Sequence, residues 1–313
     1  MRLKLQFAAI IPALGLAWGQ QTAVDQGDPA IFRTSSRLVV LHATALDKDG
    51  HLVGSVPRSA FQIYENGVKQ EIKSFRPEDL PVSLGLVIDN SASMALKRER
   101  VSAAALALVK QSNPDDEAFV VNFDENPTLD VDFTSDPRQL KQGLSRLGSR
   151  GETAMRDAIR SAIEHLKGRS VKDKKALVVV TDGNDNSSLD TLDAVVRAAQ
   201  QNEVLIYAIG LLADETPREA ERAKKALNAI AEATGGQAYY PKDLSEVDRI
   251  VPQIAHEIRN QYTVTYSPSN QELDGSFCQI RVLVDSPGVT AVRTRTGYYA
   301  TPDEQRASAL PGF

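Results

Sequence analysis

The chain has 313 residues, 42% of them hydrophobic and 25% charged, so it has an ordinary globular composition and room for two domains. A formal net charge of −5 argues against a nucleic-acid-binding protein, which would present a basic surface. The single cysteine, Cys278, excludes an intramolecular disulfide and a cysteine-based metal site, and the four histidines lack the spacing of a zinc hydrolase.

The first 19 residues have the pattern of a signal peptide. Arg2 and Lys4 give a positive start, residues 7–16 form a short apolar run, and small residues flank a cleavage position at residues 17–19. The run is too short to span a bilayer comfortably, although a membrane-anchored helix stays open as the alternative. We therefore expect an exported protein, periplasmic or secreted, with no transmembrane segment after cleavage and a mobile leader at residues 20–37.

Residues 38–80 are predicted to form a β segment. Apolar side chains alternate along residues 38–45, and Asn66-Gly67 separates two strand-like runs, residues 61–65 and 68–75, as in a tight hairpin. The tetrapeptide at residues 47–50, Asp-Lys-Asp-Gly, resembles the start of a calcium-binding loop. The ligands that should follow it are missing from the sequence, so we interpret it as a turn.

From residue 81 to residue 260 the pattern of strands and helices alternates. Buried strands are predicted at residues 83–89, 118–123 and 176–180, and a further strand at 204–210. Short strands are predicted at 129–133 and 238–240, and helices at 94–110, 137–147, 154–167, 189–200, 217–233 and 244–259. This alternation predicts an α/β fold with a doubly wound, mainly parallel sheet.

The β pattern returns in residues 261–300. Apolar residues alternate at residues 262–266 and 280–284, and a turn at residues 285–288 leads into a strand at residues 289–299. So few strands cannot bury a core alone. We therefore expect residues 38–80 and 261–300 to form one small β-sheet domain built from both flanks, with the α/β unit inserted between them and a disordered tail at residues 301–313.

Oxygen-bearing side chains lie in three loops at the carboxyl end of the predicted sheet. The first loop is Asp-x-Ser-x-Ser, with Asp89, Ser91 and Ser93; the second carries Thr153 and the third Asp182. Ligands bind past the carboxyl ends of the strands in open α/β sheets, and such oxygens suit Mg²⁺ better than Zn²⁺. Each loop also has a purely structural alternative, because aspartates form turns and serine and threonine cap helices.

Together, Asp89, Ser91, Ser93, Thr153 and Asp182 match the metal-ion-dependent adhesion site (MIDAS) of von Willebrand factor A (VWA) domains in order and context. Residues 81–260 resemble that VWA/Rossmann-like family throughout. The flanks, which end in Arg-x-Gly-Tyr-Tyr at residues 295–299, are similar to those of exported bacterial VWFA-related proteins. The resemblance implies a bound Mg²⁺, or Mn²⁺ or Ca²⁺. Its direct ligands would be the two serine hydroxyls, with the threonine bound directly or through water and the aspartates mainly through water.

The resemblance also implies a protein-binding module, whose ion keeps an open vertex for an Asp or Glu carboxylate of a partner protein. One alternative is a structural scaffold of the cell envelope in which the metal only stiffens the loops. A dehalogenase-like phosphatase would need a second aspartate where this chain has Ser91, and no nucleotide-binding or hydrolase motif is present. We therefore expect no enzymatic activity.

Two further groups lie near the proposed site or at strand ends. The polar run at residues 184–188 is interpreted as a solvated loop, although it could also shape partner choice. The tyrosines at positions 239, 240, 298 and 299 are expected to pack the sheets rather than to form a sugar-binding platform.

Overall fold

The structure, a computed structural model, describes residues 37–77, 79–111, 113–145, 151–183 and 185–302. The predicted signal peptide, the leader up to residue 36 and the tail from residue 303 lie outside the described residues, as does the end of the helix predicted at residues 137–147. Within the described ranges, none of the helices is both long enough and apolar enough to span a membrane.

The described part of the chain contains fourteen strands and six α-helices. The strands are β1 Val39–Leu46, β2 Phe61–Glu65, β3 Val68–Gln70, β4 Ile72–Arg76, β5 Val82–Asp89, β6 Glu117–Phe123, β7 Pro127–Thr134, β8 Lys174–Thr181, β9 Val204–Gly210, β10 Ala238–Tyr239, β11 Tyr262–Tyr266, β12 Phe277–Val284, β13 Ala291–Arg293 and β14 Gly297–Tyr299. The helices are α1 Arg98–Lys110, α2 Pro137–Leu144, α3 Met155–Arg169, α4 Leu192–Gln201, α5 Pro217–Thr234 and α6 Val247–Arg259, with short 3₁₀ helices at Arg58–Ala60, Ala92–Leu96, Leu212–Asp214 and Leu244–Glu246.

Six strands form a central sheet in the order β10-β9-β8-β5-β6-β7. All neighbouring pairs are parallel except β6 and β7, so the predicted mainly parallel sheet is confirmed. Helices cover both faces: α1, α2 and α6 pack on one face, and α3, α4 and α5 on the other. Every residue of β5 is buried, because Leu86 and Ile88 face the first helical layer and Val87 faces the second.

The middle of β5 leaves no room for an additional side-chain atom. A Cβ at Gly85 would overlap Leu177 of β8 and the ring of Phe119 of β6, both of which are fully buried. Glycine at this position therefore lets the three central strands keep their register while large residues fill the layer beside them. This packing fixes the height at which β5 ends and hence the position of Asp89.

The ends of α5 follow from its local sequence. Thr216 accepts a hydrogen bond from the Glu219 amide, and Pro217 occupies the first helical position, where no amide hydrogen is needed. Gly235 ends the helix in the left-handed conformation, with φ of 87°. These signals explain why this helix lies almost where the sequence predicts it.

The two flanks form two four-stranded sheets, in the orders β13-β1-β11-β4 and β14-β12-β2-β3. Each sheet mixes strands from both ends of the chain, because β11 lies between β1 and β4, and β12 lies between β2 and β14. The predicted β-sheet domain built from both flanks is therefore present. It encloses one apolar core, which includes Leu41, Ile63 and Val264.

The flanks differ from the sequence prediction in having two sheets where one was expected. The strands predicted at residues 68–75 and 289–299 are each divided between the sheets, β3 from β4 and β13 from β14. A break of one residue at Glu71 is enough for the chain to leave one sheet and join the other. The break at residue 71 and the break at residues 294–296 contain no Gly, Pro, Asn or Asp, so each run reads as one strand.

A chain truncated after residue 260 is expected to aggregate. It would lose β11, which lies between β1 and β4, and β12, which pairs with β2, and would expose unpaired edges in both flanking sheets. Size-exclusion chromatography with light scattering would measure this. A chain of residues 81–260, which lacks both flanks, is the control and should stay folded and monomeric. A monodisperse, native-like product from the truncated chain would contradict the mutual dependence of the flanks.

Candidate metal-binding site

The carboxyl ends of β5 and β8 meet at the point where the connections of the central sheet diverge. From β5 the chain continues through α1 to β6 on one side, and from β8 it continues through α4 to β9 on the other. A crevice opens at such a switch point, where open α/β sheets bind their ligands. Asp89 is the last residue of β5, and Asp182 directly follows the last residue of β8.

Asp89 is a buried carboxylate with two local donors. Its Oδ1 accepts a hydrogen bond of 2.9 Å from the Ser91 amide, and its Oδ2 accepts one of 2.6 Å from the Thr181 hydroxyl. Burial raises the pKa of Asp89; the bonds from Thr181 and Ser91 lower it only in part, and the charge of Asp182 raises it further. The two aspartates are thus close enough to repel each other.

Two serine hydroxyls connect the loop after β5 with the loop after β8. The Oγ atoms of Ser91 and Ser93 lie 3.1 Å apart, and the Ser93 hydroxyl donates to Oδ1 of Asp182 at 2.8 Å. Ser91 is buried, whereas Ser93 is exposed. The structure therefore brings four of the five predicted residues together in one chain of oxygen atoms that reaches from the buried strand ends to solvent.

Thr153, the fifth predicted residue, is buried on a separate segment before α3. Its amide donates to Oδ1 of Asn186 at 2.8 Å, and its carbonyl accepts from the Asn186 amide at 3.1 Å. Its hydroxyl makes no hydrogen bond to any other described residue. Asn186 thus ties the Thr153 segment to the loop that follows Asp182, while the Thr153 side chain has no direct bond to the other four.

The hydroxyls of Ser93 and Thr153 do not have the helix-capping role that was the structural alternative for them. The residue that caps α1 is Lys97 and the one that caps α3 is Ala154, and neither cap has a side-chain hydrogen bond. Ser93 and Thr153 therefore do not cap helices. Both hydroxyls lie at the end of the sheet without the local structural role that most often accounts for such residues.

The described part of the polar run, residues 185–188, does not behave as the solvated loop that the sequence suggests. Asp185 accepts from the Arg156 amide at 2.7 Å and pairs with its guanidinium at 2.9 Å, and Ser188 accepts from the Asp157 amide at 3.2 Å. This loop caps α3 from outside. The polar run is rich in residues that cap helices, which is the signal in the sequence for this role. The amides that it caps lie about thirty positions earlier in the chain, so the sequence does not show which helix is capped.

Two basic residues that the sequence analysis did not single out lie beside the carboxylates. The Lys97 ammonium donates to Asp182 at 2.8 Å and lies 3.1 Å from a carboxylate oxygen of Asp214. Burial lowers the pKa of Lys97, but bonds to Asp182 and Asp214 raise it overall. Burial lowers the pKa of Arg98, which the charge of Asp89 partly offsets. No motif could have revealed the Lys97–Asp182 pair, because 85 positions separate its members.

A second acidic group lies in the turn after β1. Asp47, Asp49 and His51 place possible ligand atoms within 4.8 Å of one another. The geometry is that of a turn: Oδ1 of Asp47 accepts from the amides of Asp49 and His51, each at 2.9 Å, and Lys48 pairs with Asp49 at 2.9 Å. The turn interpretation therefore holds, and the chain's own donors account for these carboxylates.

The Arg-x-Gly-Tyr-Tyr ending is structural. Arg295 donates to the Val40 carbonyl at 2.8 Å and to Glu203 at 3.0 Å, which joins the C-terminal flank to β1 and to the turn before β9. The Tyr298 hydroxyl donates to the buried Glu65 at 2.9 Å. The motif connects the flanking sheets to the central unit, and its tyrosines pack the sheets as expected.

Residues 84–184 match the family model of the von Willebrand factor type A domain, and this range contains all five predicted site residues. The structure of a von Willebrand factor type A protein from Catenulispora acidiphila is similar, with 14% identity and a TM-score of 0.50 over 88% of this chain and 76% of that one. The chain therefore contains a VWA domain, with the VWA fold in its central sheet.

Two pilus proteins have lower structural similarity. The vWF domain of the type V pili tip protein Mfa5 from Porphyromonas gingivalis has 15% identity and a TM-score of 0.47, covering 57% of this chain and 97% of that one. The PilB minor pilin from Streptococcus sanguinis has 13% identity and a TM-score of 0.47, covering 59% and 63%. No curated protein matches the sequence.

Asp89→Asn is expected to raise the free energy of unfolding in EDTA by about 1 kcal/mol. The buried charge is unfavourable in the folded state, as its raised pKa indicates, and the amide keeps an acceptor for Ser91. Urea unfolding at neutral pH measures the change. Asp185→Asn is the matched control and should destabilise, because Asp185 caps α3 and pairs with Arg156. Equal destabilisation by both substitutions would contradict this account of Asp89.

Proposed function

We propose that this chain is an exported, non-enzymatic protein-binding module. In this proposal one Mg²⁺, or Mn²⁺ or Ca²⁺, captures an Asp or Glu carboxylate of a partner protein. The ion is held by Asp89, Ser91, Ser93, Thr153 and Asp182. The observation that carries the proposal is a pair of buried carboxylates at the ends of neighbouring parallel strands, connected by serine hydroxyls of which one is exposed.

The five proposed ligand residues fit a hard divalent cation. Their side chains offer only oxygen, as carboxylates and hydroxyls, which is the donor set that Mg²⁺ and Ca²⁺ prefer. Burial and the charge of Asp182 both raise the pKa of Asp89, and a divalent cation between the two aspartates would offset their repulsion. Thr153 is a buried residue, and its hydroxyl forms no hydrogen bond to another described residue, so the hydroxyl is available as a ligand.

Each residue has a distinct part in the proposal. Ser91 and Ser93 would bind the ion directly and Thr153 directly or through water, while Asp89 and Asp182 would act mainly through water and supply the negative charge. The ion would contribute an electrophilic vertex that attracts a partner's carboxylate oxygen. Thr181 and the Ser91 amide hold the Asp89 carboxylate in a fixed orientation.

In the scaffold alternative, the metal has no role except to stiffen the loops. The described contacts already hold them: Asn186 ties the loop after β8 to Thr153, and the Ala154 amide donates to the Asp124 carbonyl at 2.7 Å. The Asn90 amide likewise donates to the Phe123 carbonyl at 2.6 Å. An ion would add little stiffness to loops fastened in this way, which favours a contact role.

Two parts of the proposal rest on the sequence. Export is inferred from the signal-peptide pattern of the first 19 residues, and cell fractionation tests it. The absence of enzymatic activity is inferred from Ser91, which stands where a dehalogenase-like phosphatase needs its second aspartate. Phosphatase activity in the purified protein that Asp89→Asn abolishes would contradict this inference.

Calorimetric titration with Mg²⁺ or Mn²⁺ should show one site that Asp89→Ala abolishes. The substitution removes one of the two carboxylates that would balance the charge of the ion. Asp47→Ala is the matched control, because Asp47 belongs to the acidic group in the turn after β1. Equal binding by the wild type and Asp89→Ala, or loss in Asp47→Ala instead, would overturn the site assignment.

Thr153→Ala should keep a native circular-dichroism spectrum and lose Mg²⁺-dependent capture of the partner. Its hydroxyl bonds to no other described residue, so removing it should leave the fold intact, given typical stabilities of about 5–15 kcal/mol. Affinity capture from an envelope extract, in Mg²⁺ and in EDTA, measures the effect. Thr153→Ser keeps a hydroxyl and should retain capture. Capture that survives both Thr153→Ala and EDTA would favour the scaffold.

A further inference from the structure

Lys97 places a positive charge on one of the carboxylates that the proposed ion would use. It is the residue that caps α1, shortly after the Asp-x-Ser-x-Ser turn. Its ammonium lies 2.8 Å from Oδ2 of Asp182 and 3.1 Å from Oδ2 of Asp214. The Asp182 side chain is 1% exposed and the Asp214 side chain 78% exposed, so the lysine bridges a buried carboxylate and a solvent-facing one.

Both oxygens of Asp182 are engaged within the chain. Oδ1 accepts from the Ser93 hydroxyl at 2.8 Å, and Oδ2 accepts from Lys97 at 2.8 Å. In the proposed site, Ser93 and Asp182 both face the ion, so the ammonium and the ion would draw on the same negative charge. Two cations that share one buried carboxylate repel each other strongly, because little water is present to screen them. A divalent ion therefore has to compete with Lys97.

Asp214 offers the ammonium a second position. It ends the 3₁₀ helix Leu212–Asp214, which follows β9, the strand next to β8. The lysine side chain is a flexible four-carbon stem with a compact charged head, so it can release Asp182 and keep its contact with Asp214. The exposure of Asp214 makes this second position better hydrated than the first.

We propose that Lys97 is a built-in competitor of the divalent ion, which lowers the affinity of the site and moves from Asp182 toward Asp214 when the ion binds. This inference rests on the proposed function. A partner's carboxylate adds a negative charge at the ion and thereby offsets the repulsion from Lys97. The ion is then held more tightly with the partner than without it, and Lys97 makes retention of the metal depend on an acidic partner.

The test compares Lys97→Met with the wild type by Mg²⁺ and Mn²⁺ calorimetry at constant ionic strength. Methionine keeps most of the aliphatic stem and removes the charge. Affinity for the ion should rise about tenfold, because removal of one neighbouring positive charge removes its repulsion. Arg100→Met is the matched control: it deletes an equal charge from the same helix, but Arg100 is exposed and pairs with Asp248. Its affinity should stay within about twofold of the wild type.

Thermal unfolding gives a second readout that does not depend on a partner. In EDTA, Lys97→Met should melt at a lower temperature than the wild type, because Asp182 is left buried without its cation. Saturating Mg²⁺ should remove most of this difference, since the ion then supplies the charge. A melting temperature lowered equally with and without Mg²⁺ would mean a static structural ion pair and would overturn the inference.

Asp214→Asn completes the test as a thermodynamic cycle. In the wild-type background it should weaken ion binding, because the displaced ammonium loses its second partner, and in Lys97→Met it should have a much smaller effect. If the wild type binds the ion and Lys97→Met binds it equally or more weakly, the inference is overturned and the proposed function stands. Binding by Lys97→Met alone supports both, and binding by neither protein overturns both.

Discussion

The site depends on keeping two carboxylates buried side by side at the ends of parallel strands. The register of β5 on β8 places Ile88 beside Val180, so that the next residues along, Asp89 and Thr181, are close enough to form a hydrogen bond. Such burial is unfavourable unless donors and cations compensate it. Here the compensation comes from hydroxyls, one backbone amide and the basic pair Lys97 and Arg98, which lie at the end of β8 or between the end of β5 and the first turn of α1.

A separate set of residues holds those loops. Asp185, Asn186 and Ser188 attach the loop after β8 to the segment before α3, using their side chains for capping and for bonds to the backbone. This division leaves the hydroxyls of Ser91, Ser93 and Thr153 without capping duties. An ion that bound as proposed would meet side chains on loops that are already held in place, which would reduce the ordering that binding requires.

The sequence predicts the parts of this protein that depend on local patterns. The apolar runs of β5, β8 and β9 predict strands that are buried on both faces of a sheet, as the structure has them. The Asn66-Gly67 hairpin and the end of α5 at Gly235 follow from the backbone conformations that Asn and Gly prefer. The candidate ligand positions are proposed because their spacing within each loop matches a known motif. What could not be predicted are pairings across long separations, such as Lys97 with Asp182 or Asp185 with Arg156. The division of residues 68–75 between two sheets could not be predicted because no Gly, Pro, Asn or Asp marks a break at Glu71.

The pairing of β4 with β11 has a mechanical consequence. β4 leads into the central unit and β11 follows it, and the two strands pair antiparallel, with Arg76 opposite Thr263. Tension applied to the two flanks is therefore borne by shear between strands of the flanking sheets, and the central unit stays unstretched until β4 and β11 separate. A force applied to the end of the central sheet, by contrast, passes to the flanks through two chain segments, one between β4 and β5 and one between α6 and β11. These two segments share the load. The topology thus shields the VWA domain from stretching along the chain, while a force on the end of its central sheet would still pass to the flanks.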